Sequence, residues 1–204
     1  MFTFRWLRFL SGGRGDELSP AEYFSSLPML ETDRLILRPL RMRDAKDIYA
    51  YASDPEVSRY VLWDPHRSVN DSRSFVRYVR SLYRQGLPAS WGVELRETGR
   101  IIGTVGFMWY SEVNRSAEAG YSFSREYWNR GLATEALRAV IRSSFGALPL
   151  NRLEAQHDIR NPASGRVMEK CGLKKEGVLR QRIRNREEYV DTALYALLRS
   201  DLEK

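Results

Sequence analysis

Residues 120–138 read GYSFSREYWNRGLATEALR, an aromatic, β-compatible run that passes through one glycine turn straight into a helical pattern. A helix's first N–H groups have no partner inside it, and its dipole is positive at that end. A strand that empties into such a helix start therefore offers a seat for an anion, phosphate above all. Gly131 lets a ligand approach the backbone, Ala133 keeps the wall small, and Asn129 tolerates left-handed backbone. Taken alone, one glycine before a helix more often marks a plain tight turn. The rest of the chain has to decide.

The flanking pattern alternates hairpins with helices. Arg34-Leu35-Ile36-Leu37-Arg38 is a short strand closed by Pro39, and Asp44 is placed to cap a helix through Ile48, Tyr49 and Ala52 that stops before Pro55. After Asn70, the residues Phe75, Val76, Val79, Leu82 and Tyr83 make a helical face, and Gly86 ends it. Strands over 90–95 and 100–109 flank a turn at Thr98-Gly99, and a third covers 117–124. A helix over 131–145, a strand over 152–159, a helix between Asn161-Pro162 and Gly172, and a hairpin over 178–184 and 189–198 complete the order. A meander plus a strand–helix–strand crossover predicts an α/β (α+β) fold, with a mixed, mostly antiparallel central sheet and helices on both faces.

Residues 1–29 read as an N-terminal arm and linker, and 30–204 as the catalytic domain. MFTFRWLRFL carries Arg5 and Arg8 and is broken off by Ser11-Gly12-Gly13, too short and charged for a signal-peptide core. It fits a short amphipathic helix on a membrane or partner, a fold-back segment, or a disordered arm. No apolar run approaches a membrane span, and a cytoplasmic protein is expected. One cysteine, Cys171, excludes an internal disulfide and a cysteine zinc cage. With only His66 and His157 there is no metal-site spacing either, so no metal is expected. Cys171 reads as a structural, partly buried residue and His157 as a packed one. The net charge of +7 suits polyanions, but the acids are interleaved with the bases. A solvated basic surface without stable nucleic-acid binding is the main reading, with a weak electrostatic bias towards ribosomes or RNA beside it. Monomer and dimer stay open.

Several blocks carry a resemblance. Leu30-Glu31-Thr32-Asp33-Arg34-Leu35-Ile36-Leu37-Arg38 comes first, then Gly120-Tyr121 with Tyr127-Trp128-Asn129-Arg130-Gly131-Leu132-Ala133-Thr134-Glu135-Ala136. Asn161-Pro162-Ala163-Ser164 with Glu169-Lys170-Cys171-Gly172-Leu173 follows, then Glu176-Gly177-Val178-Leu179-Arg180 and Tyr189-Val190-Asp191. In this order they resemble the GNAT superfamily of N-acetyltransferases, in particular the branch of ribosomal-protein N-terminal-amine (alanine/serine) acetyltransferases. The resemblance implies acetyl-CoA as cosubstrate, with its pyrophosphate on the backbone of Asn129, Arg130, Gly131, Ala133 and Thr134. It places the pantetheine amides along Tyr121, Ser122 and Phe123, and the pantetheine arm at Asn161, whose alternative role is an ordinary helix cap. Trp128 stands where the general motif has Gln or Arg, and Asn129 replaces a frequent Gly. Neither removes the N–H donors.

Acetyl transfer needs a neutral amine. At neutral pH about a tenth of a terminal α-amine is neutral, against well under a hundredth of lysine, so an N-terminus needs only modest help. Glu118 is the candidate base, against a solvent-facing or salt-bridged carboxylate. Many family members carry a proton-donating Tyr where this chain has Met168. Ser164 is then the candidate donor to the leaving thiolate, against a capping role in the first helical turn. A backbone N–H within 119–121 would meet the oxyanion. Tyr60, Trp63 and Trp109 are candidates for the acceptor groove, although aromatics at such spacings more often belong to the core. The expected function is an acyltransferase acting on the N-terminal amine of a (ribosomal) protein. The alternatives are a small-amine enzyme for polyamines or antibiotics, and a non-catalytic acyl-CoA-binding or ribosome-docking module.

Overall fold

The computed structural model describes residues 18–203. Its strands are β1 (Leu30–Glu31), β2 (Leu35–Arg38), β3 (Ser90–Leu95), β4 (Arg100–Ser111), β5 (Ser116–Phe123), β6 (Arg152–Asp158), β7 (Lys174–Asn185) and β8 (Glu188–Leu198). They form one sheet in the order β1-β2-β3-β4-β5-β6-β8-β7. Every neighbouring pair is antiparallel except β5 and β6, which α5 (Leu132–Ala147) connects. A strand can meet its successor in parallel only through such a crossover.

The other helices are α1 (Pro20–Ser25), α2 (Ala45–Ala52), α3 (Pro55–Ser58), α4 (Val69–Gln85), α6 (Pro162–Lys170) and α7 (Arg199–Leu202). Side chains alternate across a strand, so contacts reveal which helix covers which face. Tyr51 of α2 bonds to Thr104 of β4 and Ser122 of β5. Tyr121, one residue earlier on β5, bonds instead to Ser164 of α6. Helices α2 and α4 pack on one face, and α5 and α6 on the other, which is the expected architecture. On α4 the predicted face is the buried one, with Val76 and Val79 inside and Gly86 ending the helix at φ 64°.

Two local expectations change. Asp44 does occupy the N-cap position of α2, but its carboxylate does not cap that helix. It accepts instead from Arg38 Nη1 (2.8 Å) and Nη2 (3.0 Å), while Arg38 Nε reaches Glu94 (2.6 Å). A buried guanidinium needs paired carboxylates more than a helix start needs one cap.

The linker expected up to residue 28 contains α1. Ser19 and Glu22 close a capping box around Pro20, and Tyr23 and Phe24 are 1% and 0% exposed. Tyr23 lies edge-on to Trp91 at 6.2 Å and Phe24 to Phe107 at 5.4 Å. The Ser and Pro residues that read as a linker are cap and first-turn residues of a core helix. The expected arm at residues 1–10 lies outside the described residues.

Candidate active site

β5 and β6 are paired only at Ser116↔Arg152, Ala117↔Leu153 and Glu118↔Glu154. Beyond Glu118 the two strands part, although β5 continues to Phe123 and β6 to Asp158. The β6-facing edge of β5 over 119–123 therefore has no strand partner, while its other edge pairs with β4 down to Gly103↔Phe123. A bulge at Met108 interrupts that ladder opposite Glu118 and Ala119. Bulges re-aim neighbouring side chains. The candidate residues lie around this opening.

At the far end of β5 the chain makes the turn read from the sequence. Asn129 has φ 59° and Gly131 φ 76°, both left-handed. Gly131 is the N-cap of α5, and no side chain caps the helix. The first N–H groups of α5 are thus left to a ligand, and the residues fit a pyrophosphate. A Cβ on Gly131 would meet only Arg34 Nη2 at 3.6 Å, so the glycine is required by its φ rather than by crowding.

What fixes this turn lies about a hundred residues earlier in the chain. Glu135, in the first turn of α5, accepts from Thr32 Oγ1 (2.6 Å), Arg34 N (3.0 Å) and Arg34 Nε (2.7 Å). Arg34 Nη1 also donates to the Arg130 carbonyl at 2.9 Å. Burial would raise the Glu135 carboxyl, but these donors outweigh it and hold it below the usual carboxylate range. The β1–β2 turn is therefore a clamp on the anion seat. Trp128, whose indole donates to the Phe123 carbonyl at 2.8 Å, ties the seat to the end of β5.

Glu118 is half-buried beside the point where the strands part. Its Oε2 accepts from Trp109 Nε1 at 2.6 Å and its Oε1 from Gln156 Nε2 at 3.0 Å. Gln156 in turn accepts from Thr192 Oγ1 at 3.0 Å. Glu118 is neither salt-bridged nor simply solvated, because three strands orient it. Sequence reading placed Trp109 in the acceptor groove or the core and missed Gln156 and Thr192.

On the opposite face, Tyr121 Oη donates to the Ser164 carbonyl (2.8 Å) and lies 2.9 Å from Ser164 Oγ. Burial holds the Tyr121 phenol well above its usual pKa, so it keeps its proton. Met168 is 1% exposed in the core, while Tyr121 on β5 sets a tyrosine hydroxyl beside Ser164. Asn161 is the N-cap of α6, its side-chain Oδ1 accepting from Ser164 N at 3.4 Å. Cys171 is half-buried, with its thiol pushed up to about 12 by burial, which disfavours the thiolate. His157 packs its ring 5.7 Å from Tyr195 and directs Nδ1 to the Asp158 carbonyl (2.8 Å). Glu118 and Ser164 thus approach one opening from opposite faces of the sheet.

Arginines latch the β7–β8 turn and the C-terminal end of β6. Arg186, in the β7–β8 turn, reaches Asp64 (3.0 Å) and the Ser58 carbonyl (3.3 Å). Arg160 pairs with Asp158 and Glu188, and its guanidinium sits 5.9 Å from the Tyr60 ring. Trp63 is partly buried against the core beside His66, at 5.7 Å.

A splayed parallel pair, an uncapped helix start at its mouth and an oriented carboxylate beside the point of divergence thus lie on one side of the sheet's centre. The comparisons give the family. The model of the acetyltransferase (GNAT) domain matches residues 34–174, and the chain belongs to that family. The uncharacterized N-acetyltransferase YoaA of Bacillus subtilis is 38% identical over 172 residues, covering 84% of this chain and 97% of that one. The [ribosomal protein uS5]-alanine N-acetyltransferase of Escherichia coli is 28% identical over 191 residues, covering 88% and 96%. A GNAT-family acetyltransferase of Bacillus anthracis superposes with a TM-score of 0.76 at 28% identity, covering 87% of this chain and 100% of that one. The protein is an acetyl-CoA-dependent N-acetyltransferase. Among the described residues no helix is long and apolar enough to cross a membrane, and no side-chain cluster could hold a metal ion.

Proposed function

We propose that the protein acetylates the N-terminal amine of a protein or peptide in the cytoplasm, a ribosomal protein being the leading acceptor, and that the amine enters on the Glu118 face. The observation that carries this is the placement of Glu118 and the Tyr121–Ser164 pair on opposite faces of one opening. The backbone of Asn129, Arg130, Gly131, Ala133 and Thr134 holds the pyrophosphate of the cosubstrate. The free edge of β5 at Tyr121, Ser122 and Phe123 pairs with the pantetheine amides. With Asn161's oxygen engaged as a cap, its NH₂ is the group that meets the pantetheine arm. Acetyl-CoA supplies the activated acyl carbon. Glu118 takes one proton from the attacking amine, directly or through a water. A backbone N–H of 119–121 steadies the acyl oxygen. Ser164 Oγ gives its proton to the departing sulfur and takes one back from solvent, while Tyr121 Oη, its proton on the Ser164 carbonyl, holds Ser164 in place.

The pairing of the acidic groups at the end of β6 and the β7–β8 turn favours a single terminal amine over a polyamine. A polycation needs several unpaired carboxylates, whereas Asp64, Asp158 and Glu188 are each paired with arginine. The resemblance to the uS5-alanine enzyme supports a ribosomal acceptor.

The test is acetyl-CoA turnover against peptides with varied N-terminal residues and against spermidine. Peptides should be the better acceptors, and Glu118→Gln should slow their acetylation about 10²-fold with acetyl-CoA affinity unchanged. The deficit should shrink as pH rises, because more amine is then neutral without help. Faster turnover with spermidine would overturn the acceptor. Full turnover by Glu118→Gln at neutral pH would remove the base.

A further inference from the structure

Along α4, Arg73, Arg77, Arg80 and Arg84 follow at spacings of four, three and four. They form one row, a single position round the helix from the packed residues Ser72, Val76, Val79 and Tyr83. At 1.5 Å per residue the row runs about 16 Å. The helix carries no Asp or Glu from Ser72 to Gln85. Among the described residues no carboxylate pairs with any of the four; Arg73 and Arg77 donate to Asn70 Oδ1 (2.8 Å) and Ser74 Oγ (3.0 Å). Several other surface arginines are paired with carboxylates, as at Arg34–Glu135, Arg96–Glu31, Arg152–Glu176 and Arg186–Asp64.

At its C-terminal end the row borders a cleft of about 360 Å³ lined by Pro39, Leu40, Arg41, Arg80, Tyr83 and Arg84. The cleft's lining is largely apolar, and three of its six residues are arginines. Tyr83 is fixed there, since its hydroxyl donates to the Ser90 carbonyl (2.5 Å) and accepts from Leu40 N (3.1 Å). None of these residues belongs to the acetyl-transfer site.

We infer that this row, with Arg41, docks the phosphate backbone of RNA and seats one unstacked nucleotide in the cleft. Unpaired guanidinium groups on a rigid helix grip successive phosphates through forked N–H bonds. An apolar lining with the Tyr83 ring and arginine side chains at its wall accepts the face of a base. A lipid surface fits less well, because a membrane-bound helix inserts an apolar face, and that of α4 is spent on the core.

The experiment is fluorescence anisotropy of the full chain with a labelled RNA stem-loop, without acetyl-CoA, over a salt series. Five contacts give a log–log salt slope of about −3.5, and Arg80→Gln/Arg84→Gln should flatten it by about 1.4. That pair should also weaken binding about tenfold at low salt while peptide acetylation is unchanged. Arg73→Gln/Arg77→Gln, away from the cleft, should weaken binding too. Arg180→Gln/Arg182→Gln, which removes the same charge from exposed positions on β7, should leave RNA affinity within about twofold. Equal weakening by the α4 and β7 pairs would reduce the effect to net charge and overturn the proposal. Absence of RNA binding at low salt would overturn it as well. So would phosphatidylserine vesicles that bind as tightly as the RNA and are lost in the same α4 variants.

Discussion

α5 and α6 both begin just past the end of a strand, yet they treat their first turns in opposite ways. α6 satisfies itself: Asn161 caps Ser164 N, and Pro162 at the first position has no N–H to leave unpaired. α5 starts at a left-handed glycine with no side-chain cap, and its backbone donors face outward. Its order comes from elsewhere. Glu135 is held by Thr32 and Arg34 at the start, and near the other end Tyr23 Oη meets Ser143 Oγ at 2.8 Å. A helix start that must bind an anion cannot spend its donors on its own cap, so distant segments supply the rigidity.

The comparison can be broken first at α1. A chain starting at Leu30 loses the buried Tyr23 and Phe24, each worth about 3–5 kcal/mol as a core aromatic. It should lose its cooperative thermal transition, whereas a chain starting at residue 18 should keep it. A smaller effect is expected at the clamp. Glu135→Gln should cost about 1–2 kcal/mol, because its partner Arg34 is half exposed to solvent. The folded Glu135 carboxyl lies below its unfolded value, so its contribution is full above the ordinary carboxylate pKa of about 4.3. It is lost as pH falls through the lower folded value, and wild type and variant should converge in acid-unfolding curves. The smallest effect belongs to α6. Asn161→Ala should cost about 1 kcal/mol of stability in urea titrations, the usual value of a cap, and weaken acetyl-CoA no more than about threefold.

Much of this contrast was legible in the sequence. The aromatic run, Gly131 and the helical pattern stand side by side, so their spacing alone gives strand, turn and helix. Asn161-Pro162 announces the second helix start in the same way. The clamp was not legible, because Thr32 and Arg34 lie 103 and 101 residues from Glu135 and meet it only once the sheet has formed. Nor was the Tyr121–Ser164 contact, since the face taken by Tyr121 depends on register beside a bulge at Met108. Gln156 and Thr192 look like ordinary strand residues until β5, β6 and β8 are adjacent. α1 could have been found: Ser19 and Glu22 have capping-box spacing, which a Ser- and Pro-rich context masked. The α4 arginine row was likewise hidden by charges spread over the whole chain.

The most direct measurement is calorimetric titration of acetyl-CoA into wild type and a folded Gly131→Val variant. At φ 76° a β-branched residue is strained, so the turn should shift and misalign the first N–H groups of α5. The account expects affinity to fall about 10- to 100-fold, the scale of one or two lost charge-assisted hydrogen bonds. Unchanged affinity in the folded variant would contradict the assignment of the α5 turn as the cofactor's anchor.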